Sequence, residues 1–269
     1  MNIRSKISGL LRKANLLLTA EKARFYLQKW KYKKENEEFK KNNPGFVLPP
    51  EFFIYETYRL NYKWYHDDGE NNAAEIITTL SRHTDLFEPG TRILDWGCGP
   101  GRIVRHFPAL LPNTEIYGTD YNPEYIKWCS GHLKGINFTV NKIDPPTGYA
   151  DGIFDAVIGL SIFTHLSEKS HCKWINELYR IIKQGRYLYI TTHGEAYYSK
   201  LTAQEKELYD SGCLVIRKYS DEGNRLYSSF QPKGFMEKLL ERKFHVVEFI
   251  PGKSENDEPA QDIWLLQKI

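Results

Sequence analysis

A chain of 269 residues that is 41% hydrophobic, 26% charged and 14% aromatic can bury a core, which excludes whole-chain disorder, a collagen-like repeat and a disulfide scaffold. Its net charge of +3 is too small to argue for nucleic acid as a partner. The four cysteines (Cys98, Cys129, Cys172, Cys213) are widely spaced with no Cys-x-x-Cys, which points to a reducing compartment and to no structural metal. No apolar run reaches the roughly 18 residues of a membrane-spanning helix. Arg12, Lys13 and Asn15 interrupt the only segment resembling a signal peptide. The expected location is the cytoplasm.

Charge is unevenly placed. Residues 1–41 hold twelve Lys/Arg against four acids (Glu21, Glu35, Glu37, Glu38), a net +8, which leaves the rest of the chain at −5. Ile3, Ile7, Leu10, Leu11, Ala14, Leu17 and Leu18 fall in one arc of roughly 120° at helical spacing. They predict a basic amphipathic helix over residues 3–18, in an arm spanning 1–45. Such a helix packs on its own domain, packs on a second subunit in a homodimer, or lies peripherally on an anionic membrane. Asn43-Pro44 and Pro49-Pro50 break any helix. The aromatic run Phe52, Phe53, Tyr55, Tyr58, Tyr62, Trp64 and Tyr65 is read as a cap on the domain that follows.

From residue 70 onward strands and helices alternate. Helices are predicted over 73–80, 102–110, 123–129, 169–182 and 234–241, and strands over 92–95, 115–120, 137–141, 154–160 and 187–192. Two further strands, 244–250 and 263–267, are joined by a loop too short for a helical crossover, so the last one runs antiparallel. The alternation implies a Rossmann-like, doubly wound sheet with helices on both faces, over 46–269 with an insertion at about 193–233. The pair Asp67-Asp68, beside Gly69, reads as a turn and helix start and not as a metal site.

The chemistry concentrates after the first of these strands, at Asp95-Trp96-Gly97-Cys98-Gly99-Pro100-Gly101. Glycines let the chain turn sharply and let a ligand approach the backbone. A dinucleotide fingerprint starting at Gly97 needs its third glycine at position 102, where Arg102 stands, and the Gly-Lys-Ser/Thr of a phosphate loop is absent. An acid before the first glycine and a second acid, Asp120, ending the next strand fit S-adenosylmethionine. The turn then backs the amino-acid end, and Asp120 accepts both ribose hydroxyls. The competing role for Asp120 is a helix N-cap ahead of Pro123.

At these residues the chain resembles the class I S-adenosylmethionine-dependent methyltransferases, and more narrowly a branch associated with polysaccharide and glycan biosynthesis. The resemblance rests on residues 93–102, on Tyr117-Gly118-x-Asp120 and on Phe154-Asp155-x-Val157. It continues through Ser161-x-Phe163-Thr164-His165-Leu166 and Gln261-Asp262-x-Trp264. It implies that Asp95, Gly97, Gly99 and Gly101 shape the methionine-end pocket. Asp120 would hold the ribose, Tyr121 would pack on the adenine face and Asn141 would meet the adenine edge. The backbone of Ser161 would pass the reacting sulfur.

Methyl transfer to a hydroxyl also removes a proton, so a base within hydrogen-bond reach helps. His165 and His193 follow the fourth and fifth strands at the edge where open sheets bind ligands. His165 is preferred as base, and His193 is the second candidate or an acceptor-positioning residue. The insertion carries Tyr197, Tyr198, Tyr209, Tyr219 and Tyr227, aromatic faces that suit a sugar ring. A lid of tyrosines packed on itself is the competing reading. The expected activity is O-methylation of a saccharide or glycolipid hydroxyl. The alternatives are O- or N-methylation of a small specialised metabolite, or a methyltransferase-like protein that binds without turnover. No metal is implied.

Overall fold

The computed structural model describes residues 17–255 and 258–269. Residues 3–16 of the predicted amphipathic helix lie outside the described residues. The chain divides into two compact units, 1–70 and 71–269.

In the first unit, α1 (Leu17–Lys31), α2 (Lys33–Asn42) and α3 (Glu51–Thr57) enclose a small core. It holds Phe39, Ile54, Tyr55, Leu60, Tyr62 and Tyr65. The aromatic run thus builds a core of its own with the basic helices, because Tyr55, Tyr62 and Tyr65 repeat on the faces turned toward Phe39 and Phe25. Asn36 staples the unit: its amide donates to Leu60 O at 3.1 Å and accepts from the Tyr62 N–H at 2.8 Å.

α4 (Tyr62–Ser81) begins eleven residues earlier than predicted and runs straight through Asp67-Asp68-Gly69. The expected turn is absent because Asn61 starts the helix. Its side chain accepts from the Trp64 N–H at 3.0 Å, as an N-cap does, and Lys63 pairs with Asp67 one turn on.

The second unit is built on a seven-stranded sheet. Its strands are β1 (Arg92–Trp96), β2 (Glu115–Asp120), β3 (Ile136–Val140), β4 (Phe154–Gly159), β5 (Ile182–Thr192), β8 (Phe244–Ile250) and β9 (Asp262–Lys268). The order across the sheet is β3-β2-β1-β4-β5-β9-β8. β1 to β5 pair in parallel, and β9 runs antiparallel to both β5 and β8. This is the expected doubly wound topology with its last strand antiparallel. A hairpin from the insertion, β6 (Val215–Lys218) with β7 (Tyr227–Phe230), forms a separate two-stranded ladder.

Strand side chains alternate between faces, and the two cores follow that alternation. Ile93, Ile116, Ile158 and Leu265 join Ile76 and Leu80 of α4 on one face. Leu94, Trp96, Val157 and Trp264 join Trp174 and Leu178 of α7 (Glu168–Ile181) on the other, with Met236 and Leu240 of α8 (Lys233–Leu240). The predicted helix over 102–110 is instead a 3-10 turn, Val104–His106, and a short α5 (Phe107–Leu110). Pro108 has no N–H to donate to the carbonyl of residue 104, so a continuous α-helix cannot form there.

Candidate active site

The parallel strands end along one edge, and the glycine turn sits at its centre. Gly97, Gly99 and Gly101 have φ of 76°, 54° and 75°, values that favour glycine. The Gly97 and Cys98 N–H groups both donate to Thr119 O, at 2.7 and 3.0 Å, which stitches the turn to β2. A Cβ on Gly97 would lie 2.1 Å from Ile162 Cδ1, and one on Gly101 would lie 2.5 Å from Leu133 Cδ1. Positive φ together with this packing favours glycine at both positions, whether or not a ligand approaches them.

Asp95 and Asp120 are both buried. Burial pushes the Asp95 carboxyl up to about 7, opposed by Arg102 and reinforced by the charge on Asp120. Burial likewise pushes Asp120 up to about 6, opposed by its backbone donors. One Asp120 oxygen accepts the Gly99 N–H at 2.9 Å and the other the Asn122 N–H at 2.8 Å. The Tyr121 N–H is a third backbone donor to this carboxylate, which has about four acceptor sites, so some acceptor capacity remains. The N-cap of α6 (Pro123–His132) is Asn122, whose side chain accepts from the Glu124 N–H. Asp120 is therefore not the N-cap of that helix.

Asn141 lies beside it, its N–H on Asp120 O at 3.1 Å and its Oδ1 accepting from Thr119 Oγ1 at 2.9 Å. Its Nδ2 donates to Lys142 O, so one amide hydrogen and one oxygen lone pair remain. A glycine turn, a partly satisfied buried carboxylate and an amide on adjacent strand ends fit a nucleoside bearing a vicinal diol.

Ser161, after β4, is the one non-glycine among the described residues with a left-handed backbone (φ 63°), a conformation that costs about 1–2 kcal/mol. It is held from three sides. Its N–H donates to Thr191 Oγ1 at 2.8 Å, its carbonyl accepts from Thr164 Oγ1 at 2.6 Å, and Gln261 Nε2 donates to its Oγ at 2.7 Å.

His165 and His193 are half-buried, and each is fixed by a carbonyl of the insertion. His165 Nδ1 lies 2.7 Å from Tyr227 O and His193 Nδ1 3.1 Å from Ser229 O. A carbonyl only accepts, so each Nδ1 carries the proton and each neutral ring leaves Nε2 as a bare acceptor. Burial pushes both imidazoles below their ordinary 6.5, His193 as far as about 3. The two rings are close enough that charge on His165 disfavours charge on His193.

Three further residues complete the site; Gln261 appears in the sequence only as part of the C-terminal motif, without a role, and Gln231 and Gly223 do not stand out. Gln231 is fully buried. Its Oε1 accepts the His193 N–H at 2.9 Å, and its Nε2, with two hydrogens, lies within hydrogen-bond distance of Phe163 O, Ser229 Oγ and His171 Nε2. Gln261 braces Ser161. Gly223 (φ 82°) donates its N–H to His165 O at 3.0 Å and accepts from the Tyr121 hydroxyl at 3.2 Å, so the insertion reaches from the end of β4 to the end of β2. Gln, Gly and their spacing carry no periodic signal, and only the folded insertion brings them here. Tyr121 itself is 40% exposed, its ring edge against Gly223. The insertion's Tyr197, Tyr198 and Tyr209 pack with Leu201, Val215 and Phe230, and Tyr227 is buried, so most of the tyrosines serve the insertion's own core.

A separate cavity of about 540 Å³, lined among others by Glu168, Cys172, Cys213 and Lys238, touches none of these residues. Among the described residues no three His, Cys, Asp or Glu side chains cluster as a metal site, and no helix is long and apolar enough to cross a membrane.

Residues 93–185 match the methyltransferase domain family. The chain is 24% identical to cycloartenol-C-24-methyltransferase of Arabidopsis thaliana over 200 residues, covering 69% of this chain and 57% of that protein. It is 25% identical to the mitochondrial ubiquinone biosynthesis O-methyltransferase of Mus musculus over 199 residues, covering 70% and 50%. It thus spans about half the length of these relatives. The fold matches that of a SAM-dependent methyltransferase from Methanosarcina mazei with a TM-score of 0.55 at 20% identity, over 71% of this chain and 97% of that one. Residues 93–185 thus match a methyltransferase domain, and the strand order of the second unit is that of the class I S-adenosylmethionine-dependent methyltransferase fold.

Proposed function

We propose that the protein transfers a methyl group from S-adenosylmethionine to a hydroxyl of a saccharide or glycolipid acceptor, with His165 as the base. The observation that carries this reading is the pair of bare imidazole nitrogens fixed beside the strand ends that also hold Asp120 and the glycine turn. S-adenosylmethionine supplies an electrophilic methyl on a sulfonium. Asp95 and the turn would hold its methionine end, Asp120 its ribose and Asn141 its adenine edge, with Tyr121 over the ring. These residues position the donor, and the insertion spanning Tyr121 and His165 excludes water.

The acceptor hydroxyl would give its proton to His165 Nε2 as the methyl passes from sulfur to its oxygen, the carbon–sulfur bond breaking to leave S-adenosylhomocysteine, and the proton would later leave from Nε2 to solvent. His193, held down at about 3, has too little proton affinity at neutral pH for that task. It serves better as a hydrogen-bond acceptor that orients the acceptor. The insertion's exposed polar groups, Asp221 and Arg225, give a polyhydroxylated acceptor its partners. The packing of Tyr197, Tyr198 and Tyr209 into the insertion's own small core favours the second reading, a small specialised metabolite, because it takes up aromatic faces that a sugar ring would use.

Calorimetry with S-adenosylhomocysteine and transfer from methyl-tritiated S-adenosylmethionine into cell-envelope saccharide and lipid extracts test the proposal. His165→Ala should bind S-adenosylhomocysteine as the parent does and lose roughly 10²–10⁴ in turnover. Because the imidazole is shifted below its ordinary value, the parent rate should rise with pH through an apparent pKa under 6.5, and the variant should lose that limb. Binding without label in any extract makes the protein a binding module. Full turnover in the variant removes His165 from the mechanism.

A further inference from the structure

α1 has two distinct faces on opposite sides, one mixed and packed, one apolar and open. At about 100° per residue, Glu21, Phe25 and Gln28 share one side with Tyr32, just past the helix end. That side is used inside its own unit. Phe25 meets Tyr55 edge to face at 5.4 Å, Gln28 accepts the Leu60 N–H at 2.9 Å, and the Tyr55 hydroxyl donates to the Glu21 carboxylate at 2.9 Å. The opposite side presents Ala23, Tyr26, Leu27 and Trp30, and there Tyr26 is 67%, Leu27 63% and Trp30 80% exposed. Three large apolar side chains contiguous on one helix face differ from the scattered exposure of an ordinary surface. Cations flank the stripe on both sides: Lys22, Lys29 and Lys33 on one, Arg24 and Lys31 on the other. Arg24 pairs with Glu21 at 2.6 Å and Lys29 with Glu51 at 2.5 Å, while Lys22, Lys31 and Lys33 are exposed.

We infer that this face of α1 docks on the surface of an anionic lipid bilayer. Trp30 and Tyr26 have the amphipathic rings that settle at a membrane–water interface. Leu27 adds aliphatic surface that favours hydrocarbon. The flanking lysines reach lipid phosphates with their ammonium groups while their stems lie along the apolar boundary. Charge selects this occupant over the alternatives. Residues 1–16 carry Arg4, Lys6, Arg12 and Lys13 and no acid, so folding them onto the stripe sets cation against cation. A two-fold pairing of copies through the stripe brings lysine against lysine in the same way. Anionic headgroups remove that repulsion, and residues 1–16 then add to the attraction.

The test requires no cofactor, so its outcome is independent of the methyltransferase reading. Full-length protein is sedimented with vesicles of phosphatidylglycerol and phosphatidylcholine in equal parts, and with phosphatidylcholine alone, at low and high salt. The variant carrying Tyr26→Ser, Leu27→Ser and Trp30→Ser, all at exposed positions, is run beside it after circular dichroism has shown an unchanged fold. The expected result is salt-sensitive binding to the anionic vesicles only, weakened about tenfold or more in the variant. Equal binding by parent and variant overturns the inference, as does no binding at all. Parent self-association that the variant loses, without vesicle binding, gives the face to a second copy. Binding to a single-stranded RNA oligomer in place of vesicles gives it to nucleic acid.

Discussion

Asp120 and Asp95 set how this protein responds to pH. Both carboxyls sit above their ordinary 3.8, Asp120 at about 6 and Asp95 at about 7, because burial penalises the charged form. A carboxyl that holds its proton more tightly folded than unfolded contributes stability that is complete below the unfolded value and lost as pH rises through the folded one. The ligand-free protein should therefore lose melting temperature between about pH 4 and pH 7. Ligand binding runs the other way, since ribose hydroxyls are best accepted by the ionised Asp120. S-adenosylhomocysteine affinity should rise as pH passes through about 6. Asp120→Ala should cost about 1.5–3 kcal/mol of that affinity, roughly tenfold to more than a hundredfold, and flatten its pH dependence. Calorimetry across pH checks both, and an unchanged affinity in the variant would remove Asp120 from the site.

The insertion is the element that distinguishes this site from a bare parallel sheet. Its hairpin β6–β7 fixes the tautomers of His165 and His193 through two backbone carbonyls, and Gln231 anchors it to Phe163, His171 and the His193 backbone. Truncating a buried amide leaves those partners unsatisfied, at about 1–3 kcal/mol. For a domain of this size each kcal/mol shifts Tm by about 2–4 °C. Gln231→Ala should accordingly melt several degrees lower and lose turnover, while S-adenosylhomocysteine affinity stays level, since no contact links Gln231 to the glycine turn. Differential scanning fluorimetry and calorimetry read the two effects apart. A parallel fall in cofactor affinity would show that the insertion also builds the donor pocket.

The whole second unit can be read out through its thiols. Cys98 and Cys129 are buried, and both approach Gly99 O, at 3.6 and 3.7 Å. Burial raises the Cys98 thiol well above its ordinary value and pushes Cys129 up to about 12. Cys172 and Cys213 are exposed. Since the thiolate is the reactive form, Ellman's reagent should titrate two thiols quickly in the native protein and the other two only after unfolding. Mass mapping should assign the fast pair to Cys172 and Cys213. Fast labelling of Cys129 would mean that the packing behind the glycine turn opens in solution.

Period and punctuation in the sequence were sufficient for the sheet. Alternation of strand and helix, the antiparallel end and the acid–glycine turn are local patterns, and a short-range pattern survives folding because nearest neighbours impose it. The same local logic failed at residues 102–110, where Pro108 withholds a donor, and at Asp67-Asp68-Gly69, where Asn61 starts the helix upstream of the apparent turn. The pairing of each imidazole was beyond any such reading. Tyr227 and Ser229 lie 62 and 36 residues from the histidines they hold, and backbone carbonyls carry no side-chain signature. Gln231 and Gly223 were invisible for the same reason, and so was the bond from Gln261 to Ser161, though Gln261 itself lies in a recognisable motif. The sequence alone determined that a doubly wound sheet with a glycine turn after β1 and Asp120 ending β2 would form, because strand order and glycine turns are written in neighbouring residues. Only the tertiary structure decided which nitrogen of each histidine is bare, because long-range contacts place the proton.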